Sequence, residues 1–142
     1  MNELATVAVV VPCNNVAHIV DQCIESLIRQ DYPQDKFSII AVNDGSTDDT
    51  KEHLELFKTH PNFYFLNHNK NKGLSATRNT GIENSKSEIV CFLDSDMVIR
   101  PDWLQLIVVE LMAEEVIGVI GNTTLPKGEE PNLLDHYFYS AQ

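Results

Sequence analysis

Residues Thr6 to Val11 (TVAVVV) are apolar or β-branched without interruption. A strand with one face in water alternates in polarity. An unbroken run marks a strand covered on both faces, which is the habit of parallel sheets. Pro12-Cys13-Asn14-Asn15 is expected to end it. Val20, Cys23, Ile24, Leu27 and Ile28 then recur at the spacing of one helical stripe. Pro33 follows that helix. Phe37 to Val42 (FSIIAV) reads as a second strand, running into the turn-forming segment Asn43 to Thr50. Ser46 or Thr47 is expected to cap the next helix, with Leu54 and Phe57 on its inner side.

The alternation continues. Phe63 to Leu66 is a third, shorter strand, and Asn67 to Gly73 a polar loop. A helix is expected from Leu74 or Ser75. Glu88 to Leu93 (EIVCFL) is a fourth strand, stopped by Asp94-Ser95-Asp96. Pro101 suits the first turn of a helix carrying Trp103, Leu104, Ile107, Val108 and Leu111. A fifth strand is expected at Val116 to Ile120, a loop at Thr123 to Asn132, and an amphipathic helix at Leu133 to Ser140. Strands alternating with helices of this length imply right-handed crossovers and an α/β fold on a parallel sheet. Ligands of such sheets bind beyond the carboxyl ends of the strands. Pro12 to Asn15, Asn43 to Ser46 and Asp94 to Asp96 should therefore meet at one rim.

Charge and cysteine usage narrow the class. The 142 residues carry a formal net charge of −11, which lacks the basic footprint of a nucleic-acid binder. An anionic ligand remains compatible, because a bound cation reverses the local sign. The three cysteines, Cys13, Cys23 and Cys91, have no C-x-x-C spacing and sit in or beside apolar runs, so they are read as reduced and buried. The five histidines show no zinc pattern. No apolar run reaches the roughly 18 residues of a membrane span. Met1 to Leu4 lacks the basic start of a signal peptide. The expectation is a cytoplasmic protein, or one peripheral at the inner face of the membrane.

Three groups carry candidate chemistry. Asp94 and Asp96, two residues apart past a buried strand, would repel unless paired. A divalent cation resolves the conflict, since Mg2+ or Mn2+ takes one or two carboxylates with phosphate and water completing its shell. Acidic pairs at strand ends also serve as turn formers. Asp44 is a carboxylate at the same rim, able to accept from a nucleobase imide or a ribose hydroxyl, or to shape an Asx turn. Gly73 precedes a helix whose early turns hold Arg78 and Asn79. Helix N-termini attract phosphate. Arg78 can fork onto a carboxylate or diphosphate, or be a solvated surface arginine.

The blocks VVVPCNN (9–15), VNDGSTDDT (42–50), NKGLSATRNTGI (71–82) and FLDSDMVIRPDWL (92–104) together resemble glycosyltransferase family 2. The resemblance spans roughly residues 5 to 105. It implies a GT-A (Rossmann-like), mostly parallel sheet flanked by helices and ending after about the fifth strand. It further implies inverting transfer from a nucleoside-diphosphate sugar, a UDP-sugar foremost, to a saccharide, lipid-linked or protein acceptor, as in cell-envelope polysaccharide synthesis. By position, Pro12 and Asn14 are similar to residues beside the base, and Asp44 to the uracil-contacting aspartate. Arg78 resembles the arginine near base and diphosphate. Asp96 looks like the direct ligand of Mg2+ or Mn2+, and Asp94 like a ribose or metal contact. Asn43, Thr77 and Cys13 depart from the family pattern, which has Asp, Ala and Thr or Ser there.

Members of that family extend well beyond this length. The expectation is therefore a donor-binding fragment. Residues 1–122 would form the nucleotide-sugar subdomain, and 123–142 a loop and helix opening an acceptor-binding half that carries the catalytic base. Val116 to Ile120 with Leu133, Leu134, Tyr137 and Phe138 would leave an apolar patch, covered by self-association or accompanied by disorder after Gly121. Two other readings meet the residues less well. A nucleotidyltransferase would show a basic, glycine-rich loop after the first strand, where Pro12-Cys13-Asn14-Asn15-Val16 has none. A non-catalytic nucleotide-binding or assembly module would not need to keep Asp44, Arg78, Asp94 and Asp96.

Overall fold

A computed structural model describes residues 4–112 and 118–119 of the chain. Four strands, β1 (Val7–Cys13), β2 (Phe37–Asp44), β3 (Phe63–His68) and β4 (Ile89–Phe92), alternate with helices α1 (Val20–Ile28), α2 (Thr50–Glu55), α3 (Leu74–Glu83) and α4 (Trp103–Leu111). The strands form one sheet in the order β3-β2-β1-β4, with every pairing parallel. The chain divides into two compact units, Met1–Leu106 and Ile107–Gln142. The sheet and the three rim loops that follow β1, β2 and β4 belong to the first.

The continuous apolar run becomes the central strand. Val7, Ala8, Val9, Val10 and Val11 are all fully buried, because β1 has a neighbour on each side and helices belong to both faces of such a sheet. Ala8, Val10, Ile40 and Val42 form one cluster, with Leu66 and Val90 packed against it. Each of Val10, Ile40 and Val42 contributes about 1.5–3 kcal/mol by leaving water. Right-handed crossovers from β1 to β2 to β3 place α1 and α2 on one face, where they touch each other. The crossover from β3 to β4 runs back across the sheet and sets α3 on the other face, against β1 and β2. Gly81 makes that approach: a Cβ there would collide with the Val10 side chain. The order of the strands turns back between β1 and β4, and ligands of such sheets bind beyond the carboxyl ends at a point of this kind.

Five local expectations are corrected. Pro12 does not break β1; it pairs with Val42 inside the strand. Alternate residues of a strand send their N–H to opposite neighbours. Val10 uses its carbonyl toward the β4 side, accepting from Leu93 N at 3.0 Å. Pro12, two residues on, faces that same side beyond the last β1–β4 pair, so its missing donor costs no ladder bond. The second strand continues past Val42 to Asp44, and the third runs to His68 rather than Leu66. Both extensions belong to one ladder, in which Asn43 pairs with Asn67 and Asp44 with His68. Asn43 Nδ2 donates to Asn67 Oδ1 at 2.7 Å to hold it. Helix α2 starts at Thr50 and is capped by neither Ser46 nor Thr47. Those residues bond the loop after β1 instead, and Asp48 Oδ1 takes the Thr50 N–H at 3.0 Å. Finally, Phe57 lies past the end of α2, tilted against Phe63 at 5.8 Å between ring centres.

The helices expected after Asn15, at Leu74 and after Pro101 are present. Of the fifth strand expected at 116–120, only Gly118 and Val119 are described, and they lie in neither helix nor strand. The loop at 123–132, the helix at 133–140 and the apolar patch lie outside the described residues. Among the described residues, no helix is long and apolar enough to cross a membrane.

Candidate functional site

The loops after β1 and β2 are laced together by side chains that replace missing backbone partners. Asn14 Nδ2 donates to the Asp44 carbonyl at 2.8 Å. Asn15, held at φ 54°, accepts the Thr47 N–H on Oδ1 at 2.8 Å and donates its own N–H to Ser46 Oγ at 3.0 Å. An asparagine tolerates this left-handed backbone better than most residues. Gly45, at φ 61°, runs so close to the Lys70–Asn71 backbone that no side chain fits there. The polar turn formers of the sequence thus build one rigid rim.

Asp44 is the hub of that rim. It is buried, at 4% exposure, and a bare buried carboxylate would be costly. Its Oδ1 lies 2.7 Å from His68 Nδ1 and accepts the Lys72 N–H at 2.9 Å, while Oδ2 accepts the Gly73 N–H at 2.9 Å. Burial disfavours the ionised form. His68, the two amides and the neighbouring Thr77 hydroxyl outweigh it and hold the carboxyl below its usual range. A carboxylate has about four acceptor positions. At least three are filled from within the protein, which leaves at most one for a ligand.

Pro12, Cys13, Asn14, Asp44, Asn71, Gly73, Leu74 and Thr77 line a cleft of about 220 Å3 at this rim. A larger recess of about 450 Å3, lined by Thr6, Phe37 and Ser87 among others, opens at the amino ends of the strands. The convergent carboxylates and the arginine lie at the carboxyl rim, so the smaller cleft is the candidate site.

Asp94 and Asp96 lie past the end of β4, both exposed, with Leu93 and Ser95 buried between and before them. That alternation turns both carboxylates outward. Arg78, one residue beyond the cleft-lining Thr77, places Nη2 at 3.5 Å from Asp94 Oδ1 and its guanidinium 5.6 Å from the Phe92 ring centre. Its Nε is buried with no hydrogen-bond partner among the described residues. Parallel pairing puts the β2 and β4 ends at one rim, two strand spacings or about 10 Å apart across β1. The structure therefore gathers Pro12, Asn14 and Asp44 in one cleft wall. It sets Arg78, Asp94 and Asp96 beside that wall rather than in it.

The donor set suits a hard divalent cation. Asp94 and Asp96 offer two exposed carboxylates two residues apart, the hard oxygen donors such an ion takes.

Sequence reasoning missed His68, Asn71 and Leu74, and treated Thr77 only as a departure from pattern. The His68 signal was its place at the end of β3, which becomes informative only once β3 is known to extend level with Asp44. All three cysteines are free and buried, and burial drives the Cys13 thiol far up and Cys23 to about 12.

The family model "Glycosyl transferase family 2" matches residues 8–140. The chain is 36% identical over 128 residues to glycosyltransferase AglE of Haloferax volcanii, covering 88% of this chain and 42% of that protein. It is 37% identical over 103 residues to the putative glycosyltransferase EpsH of Bacillus subtilis, covering 72% of this chain and 29% of that one. Among solved structures, S. aureus TarS 1-349 in complex with UDP-GlcNAc superposes with a TM-score of 0.69 at 28% identity, over 75% of this chain and 31% of that chain. The mannosyltransferase PcManGT of Pyrobaculum calidifontis, in complex with GDP-Man and Mn2+, does so with 0.74 at 28% identity, over 79% and 34%. The chain thus spans less than half the length of each of these relatives. With the four sequence blocks falling on one rim of a parallel sheet and the family model covering most of the chain, this protein belongs to glycosyl transferase family 2.

Proposed function

We propose that the chain provides the donor-binding part of an inverting glycosyltransferase that uses a nucleoside-diphosphate sugar, a UDP-sugar foremost. The observation that carries this reading is the pairing, on one sheet edge, of an Asp44-anchored cleft with outward Asp94 and Asp96 beside Arg78. The nucleoside sits in the cleft between Pro12, Asn14 and Thr77. Its base or ribose packs against the wall that Asp44 fastens. The diphosphate extends toward Arg78, whose forked guanidinium matches phosphate oxygens. Asp94 and Asp96 would hold Mg2+ or Mn2+, and the bound ion would supply positive charge to stabilise a diphosphate leaving group. This chain's own part is to bind, orient and stabilise the leaving group. UDP complexes of TarS and the GDP-Man and Mn2+ complex of PcManGT lend support to a donor site of this kind. We further propose that the domain works in the cytoplasm, where nucleotide sugars are made, on a saccharide, lipid-linked or protein acceptor.

Calorimetric titration with UDP, in the presence and absence of Mn2+, tests the reading. Metal-dependent binding that disappears in Asp96→Ala is expected. Absence of binding by both UDP and GDP, with metal present, would sink it in favour of a module without a donor site.

A further inference from the structure

Asp44 and His68 end adjacent strands in register, and both side chains are buried, at 4% and 6% exposure. The carboxylate only accepts, so the imidazole Nδ1 at 2.7 Å carries the proton of that bond. The opposite ring nitrogen, Nε2, lies 3.0 Å from Thr80 Oγ1 on α3. Thr80 stands one helical turn beyond Thr77, which lines the cleft. His68 therefore joins the end of β2 to the helix that forms the far wall of the cleft. The same carboxylate holds the Lys72 and Gly73 amides at the entrance to that helix.

We propose that His68 is a positioning residue for the donor nucleotide. Clamped between Asp44 and Thr80, it locks the Asp44 carboxylate in the rotamer that fastens the Lys72–Gly73 turn. It thereby fixes the spacing between the Pro12–Asn14 wall and the Gly73–Thr77 wall. His68 itself does not touch the ligand. The charge-assisted bond to a buried carboxylate is the strong class of hydrogen bond, so its loss frees the carboxylate to leave that rotamer and loosens the turn. The inference rests on the donor-site reading given above.

Two substitutions separate positioning from bulk stability. His68→Asn sets an amide N–H near the place of Nδ1, keeping the Asp44 bond and giving up Thr80. His68→Gln reaches toward Thr80 and gives up Asp44. Calorimetric titration with UDP and Mn2+ is expected to show His68→Asn within about threefold of the unsubstituted protein and His68→Gln about tenfold or more weaker. Thr80→Val, which removes the outer contact without a large change of shape, is expected to weaken binding by about threefold, and it provides a folded comparison should His68→Gln fail to fold. Equal affinity in all three variants and the unsubstituted protein overturns the proposal. So does an equal loss in His68→Asn and His68→Gln that tracks their melting temperatures. If the unsubstituted protein binds neither UDP nor GDP, the donor-site reading fails, whatever the His68 variants do.

Discussion

Arg78 Nη2 stands 3.5 Å from Asp94 Oδ1, joining the helix that walls the cleft to the acidic turn past β4. Both side chains keep contact with water, at 38% and 67% exposure, so the pair contributes little to folding. Under the proposed function, it places a cation and a carboxylate side by side where a diphosphate and its metal would arrive. Arg78→Ala is expected to weaken UDP binding by about tenfold. Stability in urea should stay within about 0.5 kcal/mol of the unsubstituted protein. A large stability loss with unchanged affinity would show a structural arginine instead.

Asp96→Ala and Asp94→Ala should separate the two carboxylates. Both side chains are exposed, so neither change should move the unfolding midpoint appreciably. Asp96→Ala is expected to abolish the Mn2+ dependence of UDP binding. Asp94→Ala should weaken binding while leaving part of that dependence, because Asp94 also faces Arg78. Titrations at several Mn2+ concentrations provide the measurement.

Asp44→Asn tests the hub. The amide would turn an N–H2 group toward donors that now meet a carboxylate, leaving the Lys72 or Gly73 amide unpaired in a partly buried place. A loss of about 2–4 kcal/mol in urea denaturation is expected. Acid should act through the same group. The folded carboxyl titrates below the ordinary 3.8. A depressed folded value gives stability that is fully present above the unfolded value and lost as pH falls through the folded one. Unfolding free energy of the unsubstituted protein should therefore fall below about pH 4, and Asp44→Asn should flatten that limb. Parallel limbs in the two proteins would assign the acid sensitivity to other carboxylates.

Gly81→Ala probes the packing of α3 on β1. The added methyl would meet Val10 side-chain carbons inside the van der Waals limit. Overpacking of this kind costs about 1–3 kcal/mol. Val10→Ala, made together with Gly81→Ala, should recover part of that cost, because the two positions share the same space. A strictly additive double mutant would mean that α3 shifts instead of clashing.

The thiols should be silent in the folded state. Burial raises Cys23 to about 12 and Cys91 to about 11, and carries Cys13 higher still. Thiolate, the reactive form, is then scarce near neutral pH. A thiol reagent at pH 8 is expected to label the cysteines only after denaturant is added. Rapid labelling of Cys13, which borders the cleft, would show that the β1 end opens in solution.

The sequence by itself determined the elements whose signal is local. The apolar run at Thr6 to Val11, the stripe from Val20 to Leu27 and the acidic pair at Asp94 and Asp96 each depend on neighbours within a few positions. Periodicity and turn chemistry record such features directly, and parallel strands then carry their ends to one rim. Tertiary structure decided what depends on distant partners. Pro12 stays in β1 because β4 has ended on the side its nitrogen faces. His68 closes β3 because β2 is level with it. Asp44, legible as a rim carboxylate, becomes the fastening of the Lys72–Gly73 turn only when amides from another loop reach it. Strand register and hydrogen-bond partners are set between residues far apart in the chain, and no short window of sequence contains both members of such a pair.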